Sequence, residues 1–210
     1  MKNKTKRYLW SMLGILINSF GVALITKAAL GTSPISSLPY VLSLRFAPTL
    51  GAFTYVMNLV FIVVQPRSVW VSQLAVNIVF SWAIDLSMAL LGGLAPQGLL
   101  LQLVTLVLGC AVLGLGISIE VAPAVLLVPG EGVVGLLADR LHRPFGRVKV
   151  AFDVTLVSIA LVLSVCFFRG IRGVGLGTVL SALLVGRFVG LSRRHLPLIG
   201  RLTALAAADD

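Results

Sequence analysis

Apolar residues run through this chain in blocks too long for alternating strands and too unbroken for one-sided helices. The blocks cover about 8–30, 50–66, 69–93, 98–121, 148–168 and 173–192. Most are near the ~20 residues with which a helix crosses a bilayer. None alternates in the ~10-residue manner of an outer-membrane barrel, so the spans are predicted as helices that satisfy their own backbone in lipid. Two places break the pattern, "ALGTSP" at 29–34 and "APAVLLVPGEG" at 122–132. Each leads into a short segment, 34–46 and 129–142, of only ~20 Å as a helix.

The two interruptions stand in register. Shifting the chain by 95 residues places Gly14 on Gly109, Gly21 on Gly116, Ala29 on Ala124 and Pro34 on Pro129. Leu42 then meets Leu137, Arg45 meets Arg140, Gly51 meets Gly146 and Asn58 meets Asp153, without a gap. With a connection six residues longer, Asn77 falls on Thr178 and Asp85 on Gly186. The expectation is one membrane domain over 1–210, built from repeats at 8–93 and 98–192 whose matching parts are about 10–92 and 105–192. Residues 193–210 form a cytoplasmic tail, its end "LTALAAADD" disordered. The fold class is all-α and polytopic. It has six transmembrane helices plus two re-entrant half-helices, which makes the repeats inverted, or eight crossings with parallel repeats. Length favours six. Charge does not arbitrate, because both versions keep the N-terminus, the C-terminus and residues 140–149 on the cytoplasmic side.

Composition agrees with the pattern. The 210 residues are 58% hydrophobic and 11% charged, against ~25% charged in soluble domains. The net charge of +10 does not imply nucleic acid, because the basic residues sit mainly in connections and termini rather than on a soluble domain. Arg140, Arg143, Arg147 and Lys149, with His142 among them, suit anionic lipid headgroups or a cytoplasmic partner. The basic-then-apolar N-terminus is too long in its apolar run for a secretory signal and reads as a first span. Cys110 and Cys166 lie mid-span without Cys or His neighbours and read as reduced packing residues.

Polar groups inside hydrocarbon cost ~2.5–3.5 kcal/mol for a centred charge, so each needs a reason. Lys27 either snorkels to the headgroups or lines a cavity beside the first break. Ser33 is a natural N-cap and Pro34 suits a first helical turn. With Ser36, Ser37 and Lys27 nearby, that helix start is arranged to receive an anionic group. The second break, Pro129, Gly130 and Glu131, presents a carboxylate instead. Glu131 either serves its own helix dipole or forms a proton or cation site with Glu120. Asp153 can pair with Lys149 one turn earlier. Asp85 has no local basic neighbour and needs a partner from another helix or water, and Asn58 matches Asp153 in the other half. Asn18 and Asn77 are expected to bond across helices. No GxxxxGK[ST], HExxH, nucleophile–base pair or metal cluster occurs, so neither enzyme activity nor a cofactor is expected.

The segments "GVALITKAALGTSP", the later "PGEG" turn and the closing "GVGLGTVLSALLVGRFVG" resemble the bacterial YczE/YyaS/YitT family of integral membrane proteins, over about 10–195. That resemblance implies a bacterial cytoplasmic-membrane protein and suggests transport, without naming a substrate. The residues themselves point to a secondary transporter for a small polar, anionic or zwitterionic solute bound near the midplane. Its coupling ion would be a proton or sodium. The alternatives are a scaffold or regulator that docks a partner or lipid, and a substrate-binding subunit of a larger importer. A homo-oligomer is compatible with all three.

Overall fold

The computed structural model describes residues 2–207, which hold helices and no strand. In the first half α1 is Lys2–Lys27, α2 Pro34–Arg45, α3 Leu50–Val64 and α4 Trp70–Leu90, with a single 3-10 turn at Arg67–Val69. The second half holds α5 Leu99–Val121, α6 Pro129–Leu141, α7 Phe145–Phe168 and α8 Leu176–His195, followed by α9 Pro197–Ala207. Among the described residues, five helices have the length and hydropathy of membrane spans: α1, α4 (with its 3-10 turn), α5, α7 and α8. α3, with 15 residues or ~22 Å, is apolar but shorter than the span expected at 50–66. Large apolar side chains face outward along these helices, Val71 at 82% and Leu100 at 75% exposure among them. Such a surface belongs in hydrocarbon, and the chain is a multi-pass helical membrane protein.

Helices α1 and α5 form the centre, antiparallel and unusually close. Gly14 lies on Glu120, Gly21 on Leu113, Gly109 on Ile25 and Gly116 on Asn18. A Cβ at any of the four would sit closer than 3.0 Å to its partner's backbone, so only glycine permits this approach. The pairs map onto one another under the 95-residue shift, Gly14–Glu120 onto Gly109–Ile25 and Gly21–Leu113 onto Gly116–Asn18. Around this centre α4 packs on α1 and α8 on α5, while α2 packs on α7 and α6 on α3. Ala29 and Ala124, also 95 apart, both take left-handed backbone (φ 60° and 52°) just past the ends of α1 and α5. This conformation is uncommon for alanine, and here it turns the chain out of the helix and back toward the bundle.

The short helices occupy opposite halves of the bundle. The start of α2 meets the start of α6, where Ile35 fills the space over Gly130. From there α2 runs to the end of the bundle where α3 begins and α7 ends, and Phe46, just past its end, meets Phe53 at a tilt and Phe167 edge-on, with ring centroids 6.2 and 5.5 Å away. α6 runs the other way, toward the start of α7. α3 runs antiparallel to α4, with Gly51 beside Asp85 and Asn58 bonded to Asn77. The tail departs from expectation. α9 is an ordered helix whose Ile199 and Leu202 are buried against Ile119, Ala122 and Trp10, because its apolar face finds partners on α5 and α1. Residues 208–210 of the expected disordered end lie outside the described residues.

Candidate functional site

The two breaks are held differently. The first leans on the start of α8. The N–H of Gly177 donates to the carbonyl of Leu30 at 2.7 Å, and the N–H of Thr32 to Oγ1 of Thr178 at 3.3 Å. Thr26 and Thr32 share a hydroxyl bond at 2.7 Å. Gly31, at φ +117°, fits against Thr178 and Gly175 where any side chain would collide. The second break is tied to α1. Asn18 Nδ2 donates to Glu120 Oε2 and the N–H of Val128 to Glu120 Oε1, both at 2.8 Å. Arg7 Nε donates to the carbonyl of Pro123 at 2.9 Å.

Between the two short helices α2 and α6 lies a cavity of about 840 Å3, within the range of small-molecule sites. Its inner wall holds Asn18, Ser33, Ser36, Thr54, Asn58 and Ser181. It widens past Glu131 and the Lys149–Asp153 pair to exposed Asp139 and Phe145, at the end of the bundle where α1 begins and α8 ends. No lining residue comes from the opposite end, which the contacts of the first break close. α3 packs along α4, but the corresponding α7 and α8 stand apart and both border the cavity. The cavity therefore lies between these two helices, with α2 packed on both of them.

The residues singled out from sequence divide as follows. Ser33, Pro34, Ser36, Asn58, Glu131, Lys149 and Asp153 border this cavity. Ser33 does not cap α2 through its side chain; its hydroxyl donates to Ser36 Oγ at 2.8 Å. Ser37 is buried and donates to the carbonyl of Pro34. Pro129 offers its carbonyl to Gln65 Nε2, and Gly130 gives room to Ile35. Lys27 does not border this cavity. α1 ends before the break, so Lys27 borders a separate small cavity with Tyr40, Met88 and residues 94–97. Glu120 is wholly buried with both carboxylate oxygens engaged, a tie between helices rather than a cavity group.

Asp85 finds its partner across helices. It accepts from Thr49 Oγ1 at 2.6 Å and from the N–H of Gly51 at 2.8 Å, satisfying one orphan backbone donor at the start of α3 and holding the Thr49 hydroxyl that accepts from the N–H of Ala52. Asp85→Ala is expected to cost about 1–2 kcal/mol and to raise amide exchange at residues 50–53, measured by hydrogen exchange in detergent, with Asp85→Asn milder. Lys149 Nζ contacts Asp153 Oδ1 at 2.6 Å on one face of α7. It thus faces the cavity and stands apart from Arg140, Arg143 and Arg147, which are exposed at the α6–α7 corner. Asn58 Nδ2 donates to Asn77 Oδ1 at 2.9 Å.

The pattern of the sequence did not reveal Gln65 and Gln73. Their side-chain amides pair at 2.7 and 2.8 Å and hold the start of α6 through Pro129. The available signal was two glutamines eight residues apart on either side of the α3–α4 connection.

Residues 5–194 match a family of unknown function, DUF6198. The chain is 24% identical over 198 residues to the uncharacterized protein YyaS of Bacillus subtilis (strain 168), an alignment covering 90% of this chain and 95% of that protein. This likeness supports an uncharacterised family and does not extend to the names YczE and YitT. No solved structure matches the chain. With a match that takes in all eight helices of the two halves, the chain belongs to the family of unknown function DUF6198.

Proposed function

We propose that the protein is a secondary transporter that moves a small polar solute through the cavity between its two half-helices. One observation carries the reading: two helices start inside the apolar bundle, and a cavity of about 840 Å3 lies between them, reaching one end of the bundle but not the other. Half-helices meeting mid-membrane are how transporters expose backbone polar groups to a solute without exposing them to lipid.

The matched glycine pairs, the matched alanines and the exchange of α2 and α6 between halves support a duplicated unit. α1 and α5 run in opposite directions, so the repeats are inverted, with six crossings and two re-entrant half-helices. The end holding the cavity mouth also carries Arg67, Arg140, Arg143, Arg147, Arg193 and Arg194, which by the positive-inside rule makes it cytoplasmic, with both termini. The state described is then open inward and closed outward by the first break. Rocking one half against the other about the α1–α5 centre would exchange the two openings.

Flux into proteoliposomes of a labelled panel of amino acids, organic acids and amines, with and without a pH gradient, tests the function. Saturable uptake of some member supports it, and its absence for every member opposes it. Single cysteines at positions 47 and 67 test the crossings separately. Six crossings predict that position 47 reacts with an impermeant reagent only from outside and position 67 only from the cytoplasm.

A further inference from the structure

We propose that Glu131 is a single site shared by a proton and a cationic group of the solute, so that each excludes the other. The proposal rests on the transport reading for its consequences and on the cavity alone for its chemistry. The polar side chains around the cavity are largely committed to one another. Gln65 pairs with Gln73, Ser33 with Ser36, Asn58 with Asn77, and Asn18 with Glu120. Lys149, the basic group on the cavity wall nearest in sequence to Glu131, is bonded to Asp153 at 2.6 Å. Glu131 is different: it borders the cavity, half-buried, and its Oε2 is buried with no hydrogen-bond partner.

An ionised carboxylate with an oxygen left in that condition is unfavourable. It can be relieved by a proton on the carboxyl or by a positive group lying against it. One carboxyl accepts one of these at a time. The titratable and charged groups facing the same space are Asp139 from α6 itself, Lys149 and Asp153 from α7, and Arg193 at the mouth from α8, with Glu120 of α5 buried behind the wall within electrostatic reach of Glu131. The cavity-lining residues of α1, α2, α3 and α4 carry none. Glu120 is satisfied by Asn18 and Val128; Lys149 lies within electrostatic reach of Glu131, but its Nζ is bonded to Asp153, so the Oε2 of Glu131 is left without a hydrogen-bond partner.

The first break no longer argues for an anion, since Lys27 lies elsewhere and its two serines bond each other. The rest of the wall is largely apolar, with Val22, Phe80, Leu113, Ile117 and Val185 among its residues. A protonated amine or quaternary ammonium with a compact apolar body fits that combination. Under the transport reading, inward movement of the cation would release the proton outward, an exchange.

Dicyclohexylcarbodiimide is the direct probe. A carboxylic acid adds across it and rearranges to a stable N-acylurea, all atoms being retained, and mass spectrometry locates the adduct. Purified full-length protein is expected to be labelled at Glu131. Choline, putrescine or tetraphenylphosphonium should protect, as should raising the pH, while succinate should not. Vesicles acidic inside should take up the protecting compound, and Glu131→Gln should reduce that uptake to the level of protein-free vesicles while eluting as the same folded species. Absence of labelling at Glu131, equal protection by succinate, or gradient-driven uptake that survives in Glu131→Gln overturns the shared site and leaves transport itself standing. Protection by a cation with no flux of any compound keeps the site and sets aside transport.

Discussion

Replacing Gly116 by valine is expected to leave little folded protein, and Gly21→Val should do the same. Each of these glycines sits where a Cβ would fall against the backbone of the opposite central helix, Asn18 for Gly116 and Leu113 for Gly21. Backbone cannot move aside as the end of a flexible side chain can, so α1 and α5 must separate along their length. Overpacking a core commonly costs 1–3 kcal/mol, and a rigid contact at the middle of the fold belongs at the top of that range, about 3 kcal/mol. Small residues at such interfaces drive helix association in lipid, where no hydrophobic difference between helix and solvent remains to compensate. Thermal unfolding in detergent, followed by the monodisperse fraction on size exclusion, measures the loss. Gly190→Val is the control, because a Cβ there meets nothing within 4 Å. A Gly116→Val protein that melts with the wild type would mean the two central helices are not in contact.

The second large effect is at Glu120. Its substitution by alanine leaves the Nδ2 of Asn18 and the N–H of Val128 without their acceptors in a dry interior. Two buried donors at ~1–3 kcal/mol each give an expected loss of about 4 kcal/mol. The repeat supplies its own rescue. Under the 95-residue shift, Asn18 corresponds to Leu113 and Glu120 to Ile25, an apolar pair packed in the equivalent place. The double variant Asn18→Leu, Glu120→Ile should therefore recover about half of the loss, with Val128 alone unpaired. Thermal unfolding of wild type, both single variants and the double variant forms a complete cycle. Coupling near zero would mean the two residues act independently and the hydrogen bond contributes nothing.

Much of this architecture was legible in the order of residues, for identifiable reasons. Hydrophobic runs report spans directly because lipid tolerates little else. The 95-residue correspondence was readable because glycine and proline mark backbone requirements that the structure uses at both places. Gly14, Gly21, Gly109 and Gly116 form the close helix contact, and Pro34 and Pro129 begin the half-helices. The short segments announced themselves by length alone. What escaped was partnership. Lys27 is near the first break in sequence, yet the turn through Ala29 carries the chain away from it and into the bundle. Glu120 and Glu131 do lie near each other, but the sequence could not show that Glu120 is held by Asn18 and Val128 while Glu131 borders the cavity. Gln65 and Gln73 gave no pattern because an amide pair depends on the antiparallel register of α3 and α4, which hydropathy does not encode. The amphipathic α9 was missed because its composition resembles a small-residue tail, while its order comes from Ile199 and Leu202 finding α5.

The central claim is that two helices begin inside the bilayer around a space reached from one side. In a background with Cys110 and Cys166 replaced by alanine, cysteines placed singly at Ser33, the cap of α2, and Gly135, on the cavity side of α6, report on it directly. A charged, impermeant methanethiosulfonate reagent should modify both from the cytoplasmic face of inside-out vesicles and neither from the outer face of intact cells. Modification of the Ser33 position from outside alone, or of neither position from either face, would contradict the account.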